Sequence, residues 1–271
     1  MRKAKRLTYF NYVLIILVTL IFIFPFIWML IASFKTQAQI MSTDTALFFQ
    51  PTFDNYRSVF GEHNFLTYII NSFIVAFVST VFGLILGLPA AYAIAKYKQQ
   101  KLGFVILIAR IIPGISFMIP WFIIFTKLNL TDSYTALVLS HMLVGLPFII
   151  WIMIPSFEGL PAELEDAARV DGCTLQGAFV KVLLPLVMPG IITSSLMSFI
   201  LSWNNFMFAL VLSGEKTKTL PIAIFNFMSY SEINWGALMA AAVIITFPII
   251  IISLFVQRYI ISGVTAGAVK G

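Results

Sequence analysis

The sequence predicts an all-α polytopic membrane protein, and three observations carry that prediction. Apolar residues make up 60% of the 271-residue chain and charged residues only 10%, against about a quarter charged in a soluble domain. The apolar residues gather in runs long enough to cross a bilayer, which takes about 20 helical residues for ~30 Å of hydrocarbon. The lysines and arginines stand mostly at the ends of those runs, where they set membrane orientation rather than a nucleic-acid footprint. The same composition excludes other classes. The single cysteine, Cys173, leaves no disulfide framework or multi-cysteine metal site, and His63 and His141 lie far apart in the chain.

Six transmembrane helices are expected, at about 12–34, 67–95, 103–126, 134–155, 186–212 and 236–257. The first follows "MRKAKR". It is longer than the roughly 7–15 residues of a signal-peptide core and lacks a small-residue cleavage site, so it is expected to be retained. The second opens on "TYIINSFIVAFVST" and closes on "LPAAYAIAKYK". Proline recurs through the set, at Pro25, Pro89, Pro113, Pro120, Pro147, Pro189 and Pro248. Each removes a helix hydrogen bond and bends its span, and neighbouring helices can satisfy the freed carbonyls. No inverted repeat of the secondary-transporter kind is visible.

Orientation follows from the basic residues. With both termini in the cytoplasm, the inner segments hold eleven of them, including Arg2, Lys96, Arg169 and Arg258, and the outer segments five, including Lys35 and Lys216. Arg110 falls within the third span. The reverse topology inverts the bias, so both termini are placed inside. Residues 35–66 and 213–235 then face outward, and 156–185 form a cytoplasmic loop.

That loop interrupts the apolar chain with "AELEDAARVDGCTLQGAFVKVLLP", residues 162–185. A helix is expected over 160–171, with Leu160, Leu164, Ala167, Ala168 and Asp171 on one side. Pro161 suits its first turn, and early carboxylates Glu163 and Glu165 suit its dipole. Arg169 stands within reach of Glu165 or Asp166. Gly172 ends the helix as a C′ residue with positive φ would. Thr174 then caps a second helix that puts Leu175, Phe179, Val182 and Leu183 on one face, and Pro185 marks the turn into the fifth span. The product is a helix–glycine–helix elbow joined to a membrane span.

This stretch resembles the EAA loop of ABC-importer permeases. That pattern is Glu-Ala-Ala, three residues, Gly, nine residues, Ile, one residue, Leu-Pro. Here Asp166-Ala167-Ala168, Gly172, Val182 and Leu184-Pro185 match it, with Asp for Glu and Val for Ile. Further segments resemble the carbohydrate (CUT1, MalG-like) permeases, in the same order along nearly the whole chain. They are "FPFIWMLIASFKT", "NSFIVAFVST", "AYAIAKY", "SWNNFMFALVL", "KTLPIAI" and the tail "GVTAGAVKG".

The resemblance implies a permease domain over 1–271, the non-catalytic membrane subunit of a sugar importer in a bacterial or archaeal cytoplasmic membrane. Its partners would be a second permease of a different chain, two ATPase subunits, an extracytoplasmic sugar-binding protein and membrane lipid. The chain would bind no cofactor, with ATP and Mg²⁺ on the partner ATPase. In agreement, the sequence has no G-x-x-x-x-G-K-[ST] phosphate loop, and "SGEKTKT" at 213–219 lacks the second glycine and the spacing. The resemblance also places ATPase coupling on Asp166, Ala167, Ala168, Gly172 and Pro185, with Leu164 and Phe179 as packing contacts against the ATPase. It puts the tail, Gly267–Gly271, between the two ATPases and the outer loop 213–235 against the binding protein.

Polar groups inside spans usually face the bundle interior or a cavity. Candidate path residues are therefore Ser195, Ser198, Ser202, Asn204 and Asn205 in the fifth span, His141 in the fourth and Arg110 in the third. Trp121 and Trp203 are candidates to stack on a sugar ring. Two other functions fit parts of the pattern. An importer for a polyol or a glycerol phosphate shares every motif above. An intramembrane enzyme would need a catalytic pair at membrane depth, such as two Asp or Ser with His; every acidic residue falls in a loop or span end, which leaves only His141 with a serine of the fifth span, and no motif supports that pair.

Overall fold

The computed structural model describes residues 2–44, 48–62, 64–108, 111–228 and 233–266, and they are helical almost throughout. In chain order the α-helices are α1 Arg2–Ser33, α2 Gln37–Met41, α3 Asp54–Glu62, α4 Phe65–Lys96, α5 Gln100–Ile108, α6 Met118–Lys127 and α7 Tyr134–Glu158. They continue as α8 Glu163–Val170, α9 Leu175–Ala178, α10 Leu184–Leu186, α11 Met188–Trp203, α12 Met207–Leu212, α13 Leu220–Ala223 and α14 Trp235–Ala266. One short antiparallel bridge joins Met228 to Ile233. Arg110 and the tail 267–271, both singled out in the sequence, lie outside the described residues.

The chain forms two compact units, residues 1–66 with 223–247 and residues 67–222 with 248–271. In the first, α1 is apolar all round. Its span-like stretch Phe10–Ser33 has a mean hydropathy of 3.0 and none of its most apolar window is buried. Such a helix needs lipid or a partner helix on every side. The segment that follows is folded rather than open. Thr36 and Gln39 form a reciprocal capping box at α2. Asn55 Nδ2 on α3 donates to the carbonyls of Ser33 and Lys35, both at 2.8 Å. Gln37 pairs twice with the chain near α14, donating to Ile233 O at 2.9 Å and accepting from Trp235 N at 3.0 Å.

The second unit carries the candidate sites. One core cluster gathers Leu88, Ala91 and Ile94 of α4, Ile149, Met153 and Phe157 of α7, and Leu183 and Val187 beyond α9. Another joins Val75 of α4, Phe125 of α6, Leu137 of α7 and Phe208 and Leu212 of α12. Helices α7 and α11 pack closely because the contact surface is small. A Cβ on Gly145 would stand 2.5 Å from Ser198 Oγ, and small residues let membrane helices approach without a hydrophobic drive.

Among the described residues, four helices are long and apolar enough to cross a membrane: Phe10–Ser33, Phe65–Lys96, Tyr134–Glu158 and Trp235–Phe255. The expected first, second, fourth and sixth spans are therefore single helices. The expected third and fifth are not. Between α5 and α6, residues Ile111–Pro113 are not helical and lead into a 3₁₀ segment, Gly114–Phe117. Pro113 brings no N–H and drives the residue before it out of the α region, so the apolar helix Gly114–Lys127 is short. The fifth run bends by 80° between Leu175–Leu186 and Met188–Trp203. Pro185 and Pro189 flank the bend. Helix α11 then stops at Trp203, because Asn204 and Asn205 bond locally. Asn204 Nδ2 donates to Ile200 O at 3.1 Å, and Asn205 Oδ1 accepts from Phe208 N at 3.1 Å.

Candidate coupling site

The elbow is built by local backbone chemistry. Helix α8 opens with Glu163, Glu165 and Asp166 in its first turn and carries Arg169 in its last, charges that complement its dipole. It closes in a full Schellman motif. Cys173 N donates to Ala168 O at 2.9 Å, Gly172 N donates to Arg169 O at 3.1 Å, and Gly172 has φ +90°. Thr174 Oγ1 then accepts from Gly177 N at 3.1 Å and caps α9. The helix continues through a π segment, Phe179–Leu183. Pro185 has no N–H to return to the preceding turn, which fits the widened register before it.

The elbow is anchored to α4 and α7. The rings of Tyr92, Phe157 and Phe179 meet at centroid distances of 5.0 to 6.0 Å. Beside them, Lys96 Nζ donates to Glu165 Oε1 and Tyr92 Oη donates to Glu165 Oε2, each at 2.5 Å. The partner of Glu165 is thus Lys96 on α4, not the expected Arg169. Burial alone would raise the Glu165 pKa. The hydrogen bonds from Lys96 and Tyr92 outweigh it and hold the carboxyl below its ordinary 4.5. The depressed value fixes the sign of the pH effect. The anchor is complete above pH 4.5 and is lost as pH falls through the lower folded-state value.

The charge pair gives a first prediction. Glu165→Lys leaves two cations facing each other and should weaken elbow docking by about 3 kcal/mol, within the range for a charged partner stranded at a partly buried site. The double change Glu165→Lys with Lys96→Glu should restore much of it. Protection of α8 amides from hydrogen exchange measures both. Equal protection in wild type and Glu165→Lys would remove this anchor from the account.

The structure separates the expected coupling residues into two groups. Ala168 is buried, and Leu164 and Phe179 pack on the chain's own core beside Leu160. They hold the elbow in place, where the sequence had turned Leu164 and Phe179 toward a partner. Asp166, Ala167, Gly172 and Pro185 are exposed. So are Val170 at 88% and Leu175 at 44%, an apolar pair the sequence reading did not assign to docking. Its only trace was that Val170 falls off the inward stripe of α8. A groove of ≈ 800 Å³ runs beside the elbow, lined by Lys96, Lys98, Glu158, Asp166 and Arg169 among others.

The structure brings His141 and Ser202 together and leaves the other expected path residues apart. His141 Nδ1 bonds Ser202 Oγ at 2.7 Å, and Ser79 Oγ donates to the same Ser202 oxygen at 3.1 Å. Thr80 Oγ1 donates to Ser198 Oγ at 3.4 Å. These buried groups tie α4, α7 and α11 together. Ser195 Oγ bonds back to Ile192 O at 2.9 Å. Trp121 stacks on Phe125 at 4.9 Å and Trp203 is buried. Asn204 is exposed and Asn205 half-buried at the break between α11 and α12. Broken helices at membrane depth are tolerated where they line a cavity or are covered by protein.

A third feature escaped the sequence altogether. Asp132, in the loop before α7, receives four hydrogen bonds from one short stretch. Gly214 N and Thr217 N donate to its Oδ1 at 2.9 and 3.0 Å, Thr217 Oγ1 donates to Oδ1 at 2.7 Å, and Lys216 N donates to Oδ2 at 3.2 Å. Asn71 on α4 holds the same stretch from the other side, donating to Lys216 O and Lys218 O at 3.1 and 2.9 Å.

Comparison with known proteins agrees with this architecture. Residues 80–266 match the family described as binding-protein-dependent transport system inner membrane component. The chain belongs to this family. It is a non-catalytic permease, a multi-pass protein of a bacterial-type membrane. The permease is 37% identical to the trehalose transport system permease protein SugB of Mycobacterium tuberculosis, over 99% of each chain. It is 34% identical to the trehalose/maltose transport system permease protein MalG of Thermococcus litoralis, over 94% of each. Its fold matches a chain from the crystal structure of a bacterial ABC transporter involved in the import of the acidic polysaccharide alginate. That match has a TM-score of 0.80 at 25% identity and covers 96% of this chain and 98% of the other.

Proposed function

We propose that this permease forms half of the translocation path of an ATP-driven sugar importer and couples it to a cytoplasmic ATPase through the α8–α9 elbow. The observation that carries the reading is the construction of that elbow. It is capped at both inner ends, set by a positive-φ glycine and fixed to α4 by Glu165. A surface loop needs none of this. An element that transmits force to membrane helices needs all of it, because a slack joint would absorb the motion.

In this reading Asp166, Ala167, Gly172, Val170 and Leu175 meet the ATPase, Leu164, Ala168 and Phe179 hold the elbow from behind, and the exposed Pro185 marks the turn toward α11. ATP and Mg²⁺ belong to two ATPase subunits, a second and different permease completes the path, and an extracytoplasmic binding protein delivers the sugar. Six crossings with both termini inside follow if α5 with α6, and α11 with α12, each make one broken crossing. Asn204 and Asn205 at the second break are then the path residues with free surface, while His141, Ser198 and Ser202 secure the helices around them. The sugar assignment draws on relatives that carry trehalose or maltose.

Reconstitution tests the reading. Vesicles holding this chain, the second permease and the ATPase should take up labelled disaccharide only with ATP inside and loaded binding protein outside. Uptake that persists without ATP, or ATP hydrolysis indifferent to this chain, would defeat it.

A further inference from the structure

A groove opens between α5 and α7. It has a volume of ≈ 590 Å³, inside the range of about 300–1,000 Å³ typical of ligand sites. Gly103 and Ile154 are buried at its base. Phe104, Val105 and Trp151 form its walls and are 58%, 60% and 44% exposed.

The two ends of the groove differ. Val105 and Trp151 lie within the apolar helices. Gln100 and Lys101 open α5, and Glu158 closes α7, so one end is polar and charged. Tryptophan next to such a border is the composition of a membrane interface. Lys101 and Glu158 carry opposite charges on the same rim, and no ion pair among the described residues engages either one. An apolar trough with one cation and one anion at its mouth matches a molecule with a chain and both charges.

We propose that this groove binds a phospholipid whose headgroup carries a phosphate and a primary ammonium, with an acyl chain along Val105, Trp151 and Ile154. The phosphate pairs with Lys101 and the ammonium donates to Glu158. A lipid with a net negative headgroup would meet repulsion from Glu158. A quaternary ammonium keeps the charge but has no N–H to donate. Gln100 and Glu158 also line the groove beside the elbow, so the bound headgroup sits next to the coupling element.

The test is lipid retention by the full-length chain in its assembled complex, extracted from vesicles of equal phosphatidylethanolamine, phosphatidylcholine and phosphatidylglycerol and read by native mass spectrometry. Phosphatidylethanolamine should be retained about fivefold over each of the others, the scale of one exposed charge pair. Glu158→Gln should bring it level with phosphatidylcholine. Val105→Trp, which fills the trough, should release all three. Equal retention by the wild-type protein, or retention unchanged in both variants, overturns the proposal. So does cross-linking of Val105→Cys to another protein subunit instead of lipid.

Discussion

Gly172→Val is expected to lower ATP-coupled uptake by at least about tenfold while the protein still inserts and assembles. The reason lies in the backbone alone. Gly172 sits at φ +90°, and a Cβ built there would meet nothing within 4 Å. Crowding therefore plays no part. A side chain pays about 1–2 kcal/mol to occupy a left-handed conformation, and a β-branched one is a more severe misfit. The chain can relieve that strain by moving to negative φ, but the Schellman bonds from Cys173 and Gly172 to Ala168 and Arg169 are then lost. The angle between α8 and α9 changes with them. A displacement worth 1.4 kcal/mol is already tenfold in an equilibrium. A series makes the cause legible. Asn tolerates left-handed backbone better than other residues, so Gly172→Asn should retain the most uptake, Gly172→Ala less and Gly172→Val least. Uptake and vectorial ATP hydrolysis in reconstituted vesicles give the readout. Normal uptake by Gly172→Val would mean the elbow angle is not what couples the two machines.

Much of this site was legible because its signals are local. A glycine two residues past the last helical turn, a threonine two residues on and carboxylates early in α8 each act within one turn of the chain. Capping chemistry of that kind is written in short windows. The long spans were legible for a similar reason, since an uninterrupted apolar run has one stable fate in lipid. The breaks were not. Pro25, Pro89, Pro147 and Pro248 all remain inside continuous helices, whereas Pro113 stands outside them, just before the 3₁₀ segment Gly114–Phe117. Nothing in the residue itself separates these outcomes, because the decision rests on whether neighbours satisfy the freed carbonyl. Long-range pairs were equally hidden. Glu165 finds Lys96 across 69 positions, while the sequence offered Arg169 four residues away. Leu164 and Phe179 showed a helical stripe, but a stripe does not say whether it faces the chain's own core or a partner.

Asp132→Ala is expected to release the stretch 214–217 and cost about 3 kcal/mol of local stability, since hydrogen bonds to a charged acceptor are worth roughly 1.5–3 kcal/mol each and the freed amides recover part of the loss from water. Three backbone amides and one hydroxyl lose their acceptor together. Asn71 still holds the carbonyls of Lys216 and Lys218, so the stretch loosens without detaching. Asp132→Asn separates charge from geometry. Its one carbonyl oxygen can replace Oδ1, which serves Gly214 and Thr217, but its NH₂ then confronts the amide of Lys216. It should fall between wild type and alanine. Hydrogen exchange at Gly214, Lys216 and Thr217 reads the order directly. The clamp also carries a pH signature. Burial pushes the Asp132 carboxyl up, but the Thr217 hydroxyl and the three backbone donors outweigh it and hold the value below the ordinary 3.8. A depressed carboxylate stabilises fully above its unfolded value and loses that contribution only as pH falls through the folded one. Protection of 214–217 in wild type should therefore stay level down to about pH 4 and decline below it. Under the proposed topology this stretch forms the base of the segment that meets the binding protein. A preformed base spares the ordering cost of association, so Asp132→Ala should weaken stimulation by binding protein while leaving the elbow's amide protection unchanged. If the three amides exchange no faster in Asp132→Ala, the clamp is incidental to the loop's order.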